Sequence, residues 1–70
     1  MKVYLDSDAA SIRDLAVEVC KEEKVEIILV KNYSQDFSTN YGTIINVDVE
    51  SDAADLYIVN HLEKGDLVLT

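Results

Sequence analysis

Residues 25–30, Val-Glu-Ile-Ile-Leu-Val, are apolar at every position except Glu26. Side chains alternate across a strand, so a strand formed here is apolar on both faces. Such a strand belongs inside a parallel sheet with helices over both sides. That requirement sets the class of the whole chain as α/β. With 70 residues the chain makes one domain, residues 1–70. A chain this short buries only roughly 60% of the surface its unfolded form exposes. Ordering it costs on the order of 100 kcal/mol, at about 1.5 kcal/mol per residue. The hydrophobic fraction of 49% is normal for a globular protein and argues against disorder, despite 29% charged residues. Two glycines and no proline exclude a collagen-like or low-complexity chain, and the single cysteine, Cys20, excludes a disulfide scaffold.

The other elements follow from periodicity. Lys2 to Leu5 reads as a first strand, stopping at the turn and cap chemistry of Asp6-Ser7-Asp8. From there to about Glu23 the period becomes helical. Ile12, Leu15, Ala16, Val19 and Cys20 form one stripe, with Arg13, Asp14, Glu18, Lys21 and Glu22 on the other faces. The apolar run 25–30 is the second strand. Asn32 to Gly42 is polar and reads as a loop, pinned by Phe37. Thr43 to Val49 is a third strand. Ser51-Asp52 caps a second helix from Ala53 to about Glu63, with Gly65 placed as its left-handed C-cap. Leu67 to Leu69 is a fourth strand. The order β-α-β-loop-β-α-β, with right-handed crossovers, predicts a three-layer arrangement: a four-stranded, mostly parallel sheet in the order 3-2-1-4 with one helix on each face.

In open α/β sheets ligands bind beyond the carboxyl ends of the strands, where strand order reverses. The first strand delivers Asp6 and Asp8 to that rim. The segment after the third strand delivers Asp48, Glu50, Asp52 and Asp55, with Asp52 and Asp55 three apart on one helical face. The inferred fold thus gathers Asp6, Asp8, Asp52 and Asp55 as candidate metal-binding and catalytic acids. Hard carboxylate oxygens suit Mg²⁺ or Mn²⁺, which can generate hydroxide and stabilise in-line phosphoryl transfer. The same acids, at helix starts, also serve as caps that complement the helix dipole, and spacing alone leaves both readings open.

The run Val3-Tyr4-Leu5-Asp6-Ser7-Asp8-Ala9-Ala10 resembles the opening motif of the bacterial YaiI/YqxD family, a strand followed by Asp-Ala-Asp-Ala-Cys. Ser51-Asp52-Ala53-Ala54-Asp55, continuing to Ile58-Val59, is similar to the family's second motif, and Gly65 to Thr70 resembles its third strand motif. The resemblance covers the whole chain. It implies a fold related to PIN-like nucleases, a Rossmann-like half domain. It also implies acids for divalent metal at Asp6, Asp8, Asp52 and Asp55, and an RNA or DNA substrate. Ala10-Ser11 stands where the family has Cys-Pro. Members of the family are about twice this length, and the chain resembles their amino-terminal half without the acidic motif that follows. Weak or absent nuclease activity is the expectation for this chain alone. The alternative is a non-catalytic interaction or regulatory module whose acids are only caps.

Lys31 and Asn32 follow the second strand at the same rim and are weak candidates for substrate contact, against a solvated loop start. Tyr33, Phe37 and Tyr41 offer aromatic rings for base stacking, but no Lys or Arg lies between them, which favours hydrophobic anchoring. Cys20 lies on the apolar stripe and reads as a buried, inert thiol; His61 reads as a residue of the last helical turn. The net charge of −8 works against loose binding to phosphate backbones and anionic lipid. No apolar run approaches the ~20 residues of a membrane span, and no signal peptide precedes the first strand. The expectation is a cytoplasmic protein without membrane contact. One helix, ~10 Å across, cannot cover a sheet ~15–20 Å wide, and the fourth strand is an edge with no Pro or Lys to guard it. This predicts a homodimer through the uncovered sheet or the fourth-strand edge, tightened by salt.

Overall fold

A computed structural model describes residues 1–32, 39–48 and 53–70, with residues 7, 8 and 10 described through their backbone. Four strands, β1 (Lys2–Asp6), β2 (Glu26–Asn32), β3 (Thr43–Val47) and β4 (Leu67–Leu69), form one parallel sheet in the order β3-β2-β1-β4. Two helices, α1 (Arg13–Glu23) and α2 (Ala53–His61), connect them. This is the three-layer α/β arrangement that the doubly apolar β2 requires.

Alternation sorts the core into two halves. Val3, Leu5, Ile27 and Leu29, joined by Ile44 and Leu69, pack with Val17 and Cys20 of α1. Tyr4, Ile28 and Val30, joined by Ile45, Val47 and Val68, pack with Ile58 of α2. Each strand therefore contributes neighbouring residues to opposite layers, one helix to each. Ile27, Leu29 and Val30 of β2 are the most deeply buried side chains.

Several boundaries differ from the sequence reading, each for a physical reason. β1 runs on through Asp6, which pairs in register with Val30. β2 runs on through Lys31 and Asn32, because β3 offers Asn46 and Val47 as partners. The first helix starts late: Ser7–Ile12 is 3₁₀, broken at Ala9 (φ −96°, ψ 26°), and α1 begins only at Arg13. Its N-cap position is Ile12, with no side-chain cap hydrogen bond, so a capping role for Asp8 does not apply to α1. The inward face of α1 is Val17, Cys20 and Ala16, whereas Ile12, Leu15 and Val19 of the expected stripe are exposed. α2 ends at His61, and Gly65 (φ 93°) is not its cap. It sits instead in a turn closed by the Asp66 N–H donating to the Glu63 carbonyl at 3.0 Å. The expected third strand stops at Val47; Val49 lies outside the described residues.

That turn is tied to the start of the chain. Asp66 Oδ2 accepts from the Glu63 N–H (3.0 Å) and Oδ1 from the Lys2 N–H (2.9 Å). Those two backbone donors, Glu63 first, hold the Asp66 carboxyl below its ordinary value. A carboxyl depressed in the folded state stabilises above its unfolded pKa of ~3.9, and that stabilisation is lost as pH falls through the lower folded value. Asp66→Ala is therefore expected to lower the thermal midpoint at neutral pH. The gap from wild type should close in a melting series taken down below pH ~4. A gap independent of pH would show that the bridge contributes nothing as a carboxylate.

Candidate functional site

The carboxyl ends of β1 and β2 and the start of α2 share one rim. α2 leaves from beyond β3 and ends beside the amino-terminal part of β1, where the Tyr4 hydroxyl donates to the His61 carbonyl at 3.1 Å. Its first turn, at the other end of the helix, carries Asp55.

Among the described residues Asp6 is the deepest charged group of this rim, with 4% of its surface exposed. It is held there because β1 is an inner strand, flanked by β2 and β4, at the position where the strand order reverses. Alternation places Asp6 on the face of Tyr4, under α2. Asn32, two residues beyond Val30, falls on that same face. Lys31 falls on the α1 face with Leu29, and is itself buried at 8% exposure. The two weak substrate candidates thus point to opposite layers. Asp6, Lys31, Asn32 and Asp55 are all engaged in interactions within the protein. A buried lysine and a buried aspartate are tolerable only because such groups find partners. The sequence reading took Lys31 for the end of the strand. Its four-carbon stem allows it to be covered while its charge reaches the rim.

Asp55 is exposed on the first turn of α2, where negative charge complements the helix dipole. Asp52 lies outside the described residues, as does the side chain of Asp8, so their convergence with Asp6 is not described. Asp48 follows β3 and is exposed. Among the described residues no three His, Cys, Asp or Glu side chains stand together as a metal-binding group.

The remaining candidates settle into structural roles. Tyr41 anchors its segment by donating from its hydroxyl to the Val25 carbonyl (2.8 Å) and packing on the α1-side core. Tyr33 and Phe37 lie outside the described residues. Cys20 is buried, and burial pushes its thiol pKa up, away from nucleophilic use. His61 stacks on Tyr57 with ring centroids 4.0 Å apart. Its Nδ1 lies 2.7 Å from the Tyr57 carbonyl, which can only accept, so Nδ1 carries the proton. Helical spacing of four residues could have revealed this pair in the sequence.

Two concavities lie elsewhere. A cleft of about 690 Å³ runs along α1 past Arg13, Glu18, Lys21, Thr39 and Asn40, with charges of both signs and none of the four candidate acids. A groove of about 370 Å³ lies between the exposed side of α1 and β4 and is almost entirely apolar. Among the described residues no helix is long and apolar enough to cross a membrane.

Comparison with known proteins places this arrangement in a family. The family model described as "Uncharacterized BCR, YaiI/YqxD family" matches residues 4–70. A "UPF0178 protein" of Natranaerobius thermophilus is 37% identical over the whole chain, which covers 48% of that relative. A second, from Alkaliphilus oremlandii, is 36% identical with 45% of its length covered. A third, from Ruminiclostridium cellulolyticum, is 29% identical with 46% covered. The chain thus spans about half the length of the curated relatives it matches. No solved structure matches it. With the family model spanning nearly the whole chain, and the three motif runs inside the match from Tyr4 onward, the chain belongs to the YaiI/YqxD family.

Proposed function

We propose that the carboxyl rim of the sheet is a divalent-cation site of a PIN-like, nuclease-related domain, in which Asp6, Asp8, Asp52 and Asp55 hold Mg²⁺ or Mn²⁺, with phosphodiester hydrolysis of RNA or DNA weak or absent in this chain alone. The observation that carries this reading is the burial of Asp6 at the carboxyl end of the inner strand β1. A carboxylate is costly to remove from water, and a fold that places one at a ligand-binding crest has a use for its charge.

The chemistry of the donor set fits the ion. All four candidates are carboxylates, the hard oxygen donors that Mg²⁺ and Mn²⁺ take, and the set contains no thiolate or imidazole to favour zinc. When bound, the ion would supply a more acidic water and neutralise charge developing on a phosphoryl group. The chain's own contribution is positional. β1 fixes Asp6, the first turn of α2 carries Asp55, and Asn32 falls on the Asp6 side of β2. The net charge of −8 opposes the approach of a polyanion and favours the alternative of a non-catalytic module, and a bound divalent cation would reverse the local field only in part.

Calorimetric titration with Mn²⁺ tests this directly. Wild type should bind weakly. Asp6→Asn, which keeps the shape of the buried side chain, should weaken binding by at least the 10–100-fold that loss of a supporting residue costs a metal site. Asp55→Asn should weaken it less, because that residue is exposed. Equal or undetectable heats for wild type and both variants would remove the reading and leave the acids as helix-end charges.

A further inference from the structure

We propose that Lys31, with Asn46 beside it in the sheet, holds a backbone phosphate of a nucleic-acid strand on the α1 side of the carboxyl rim, while the cation site takes a neighbouring phosphate on the α2 side. The inference deepens the metal reading and rests on it for the class of ligand.

Lys31 and Asp6 are the two buried charged residues among those described, at 8% and 4% exposure. Both stand at the carboxyl ends of adjacent strands. Asp6 pairs with Val30, so Lys31 is one strand across (~4.8 Å) and one residue further along (~3.3 Å). Alternation sends them to opposite faces, Asp6 with Tyr4 toward α2 and Lys31 with Leu29 toward α1. One rim thus carries a buried anion on one face and a buried cation on the other. Each is costly to take from water. The metal reading gives Asp6 a use and leaves Lys31 without one. Lys31 is engaged in interactions within the protein. An ammonium carries three donors, enough to keep such a partner and still reach a phosphate oxygen. Its stem is covered, so little side-chain freedom is left to lose on contact.

The approach is from β3. Lys31 pairs in register with Asn46, and register partners share a face. Asn46 is exposed, so this side of the rim meets solvent there, and its amide can donate to a second phosphate oxygen. The placement of cations along the sheet favours the same side. Of the six Lys and Arg, Lys2 opens β1, Lys24 precedes β2 and Lys64 lies in the turn before β4, all at the amino edge. Lys21 is in the last turn of α1, toward that edge. The remaining two stand at the carboxyl end, Lys31 in β2 and Arg13 at the start of α1. Neither belongs to the α2 layer, where Asp6 and Asp55 are. The acids close by in sequence, Asp14 after Arg13 and Asp48 after β3, are exposed and screened by solvent. With a net charge of −8 the contact is short-range and weak.

Fluorescence anisotropy with a labelled oligouridylate in Mn²⁺ tests this. Lys31→Met keeps the apolar stem and removes the charge. It should lower affinity ~10-fold and reduce the salt slope by ~0.7, the share of one phosphate on a single strand. Asn46→Asp, at an exposed position, should lower affinity as much, and it carries the test should Lys31→Met fail to fold. Lys64→Met, at the amino edge, should leave affinity unchanged. Oligothymidylate should show the same losses, because phosphate is common to both; loss with one polymer alone overturns the phosphate assignment. Calorimetry should show Lys31→Met binding Mn²⁺ as wild type does. Wild-type affinity in Lys31→Met or in Asn46→Asp overturns the inference, as do equal losses for Lys31→Met and Lys64→Met. Loss of Mn²⁺ binding in Lys31→Met, matching Asp6→Asn, overturns it too and makes Lys31 a support for Asp6. A wild type that binds Mn²⁺ and no oligonucleotide overturns it while the cation site stands. A wild type that binds no Mn²⁺ but binds oligonucleotide through Lys31 removes the cation site and keeps the phosphate contact.

Discussion

Ile27→Ala is expected to leave the chain largely unfolded at 25 °C, as read by far-ultraviolet circular dichroism and urea titration. Ile27 has no exposed surface and sits in the α1-side core, in the strand both of whose neighbours are paired. Truncating such a residue to alanine removes its transfer free energy and leaves a cavity, together costing about 2–5 kcal/mol. A domain near 70 residues rarely holds more than ~3–5 kcal/mol in total. The loss is therefore comparable to the whole stability. Ile27→Val removes a single methyl and should cost about 0.5–1.5 kcal/mol, enough to shift the urea midpoint while leaving the transition cooperative. An Ile27→Ala chain that melts within a few degrees of wild type would mean that the core closes around the cavity more freely than its packing suggests.

The same residue shows how much of the fold was legible in the sequence. Five apolar residues in six, from Val25 to Val30, could only be a strand covered on both sides, and the two-layer core bears that out. The strand order followed from connection rules. What was not legible depends on tertiary partners. Lys31 and Asn32 look like the start of a loop, and become strand only because Asn46 and Val47 stand opposite them. The α1 stripe shows which side chains share a face, but not how much of that face the sheet covers. Coverage is set by sheet width, so Val17 is buried and Leu15 is not. Gly65 after a helix reads as a cap, whereas the carboxylate of Asp66 recruits it into a turn. At the candidate site, Asp6 was legible because an apolar run fixes where β1 ends, even though the strand continues through it. Asp52 lies outside the described residues, and residues 49–52 carry no periodic signal of their own.

Gly42→Ala is the second substitution expected to act strongly, with a cost of at least ~1–3 kcal/mol from backbone strain before any clash is counted. Gly42 has φ +97°, where an L side chain is strained whatever the space around it. The space is also closed. A Cβ at this position would lie 2.7 Å from Ile27 Cγ2 and 2.8 Å from the Ile27 carbonyl oxygen. The first neighbour is a side-chain atom and the second is backbone of the central layer, so β3 would have to draw back from β2 where the two begin to pair at Thr43. Two terms can be separated by a double-mutant cycle. Ile27→Val keeps Cγ2 and should add to Gly42→Ala without coupling. Ile27→Ala removes Cγ2, and the double variant should then be less destabilised than the sum of the singles, by about 1 kcal/mol. The coupling is expected to be partial, because the carbonyl oxygen and the positive φ remain. Since Ile27→Ala alone takes most of the stability, the cycle is measured in a stabilising osmolyte, with the four chains compared at one concentration. Full additivity would show that the side-chain contact at 2.7 Å is relieved without cost, leaving the backbone of Gly42 as the whole of the effect.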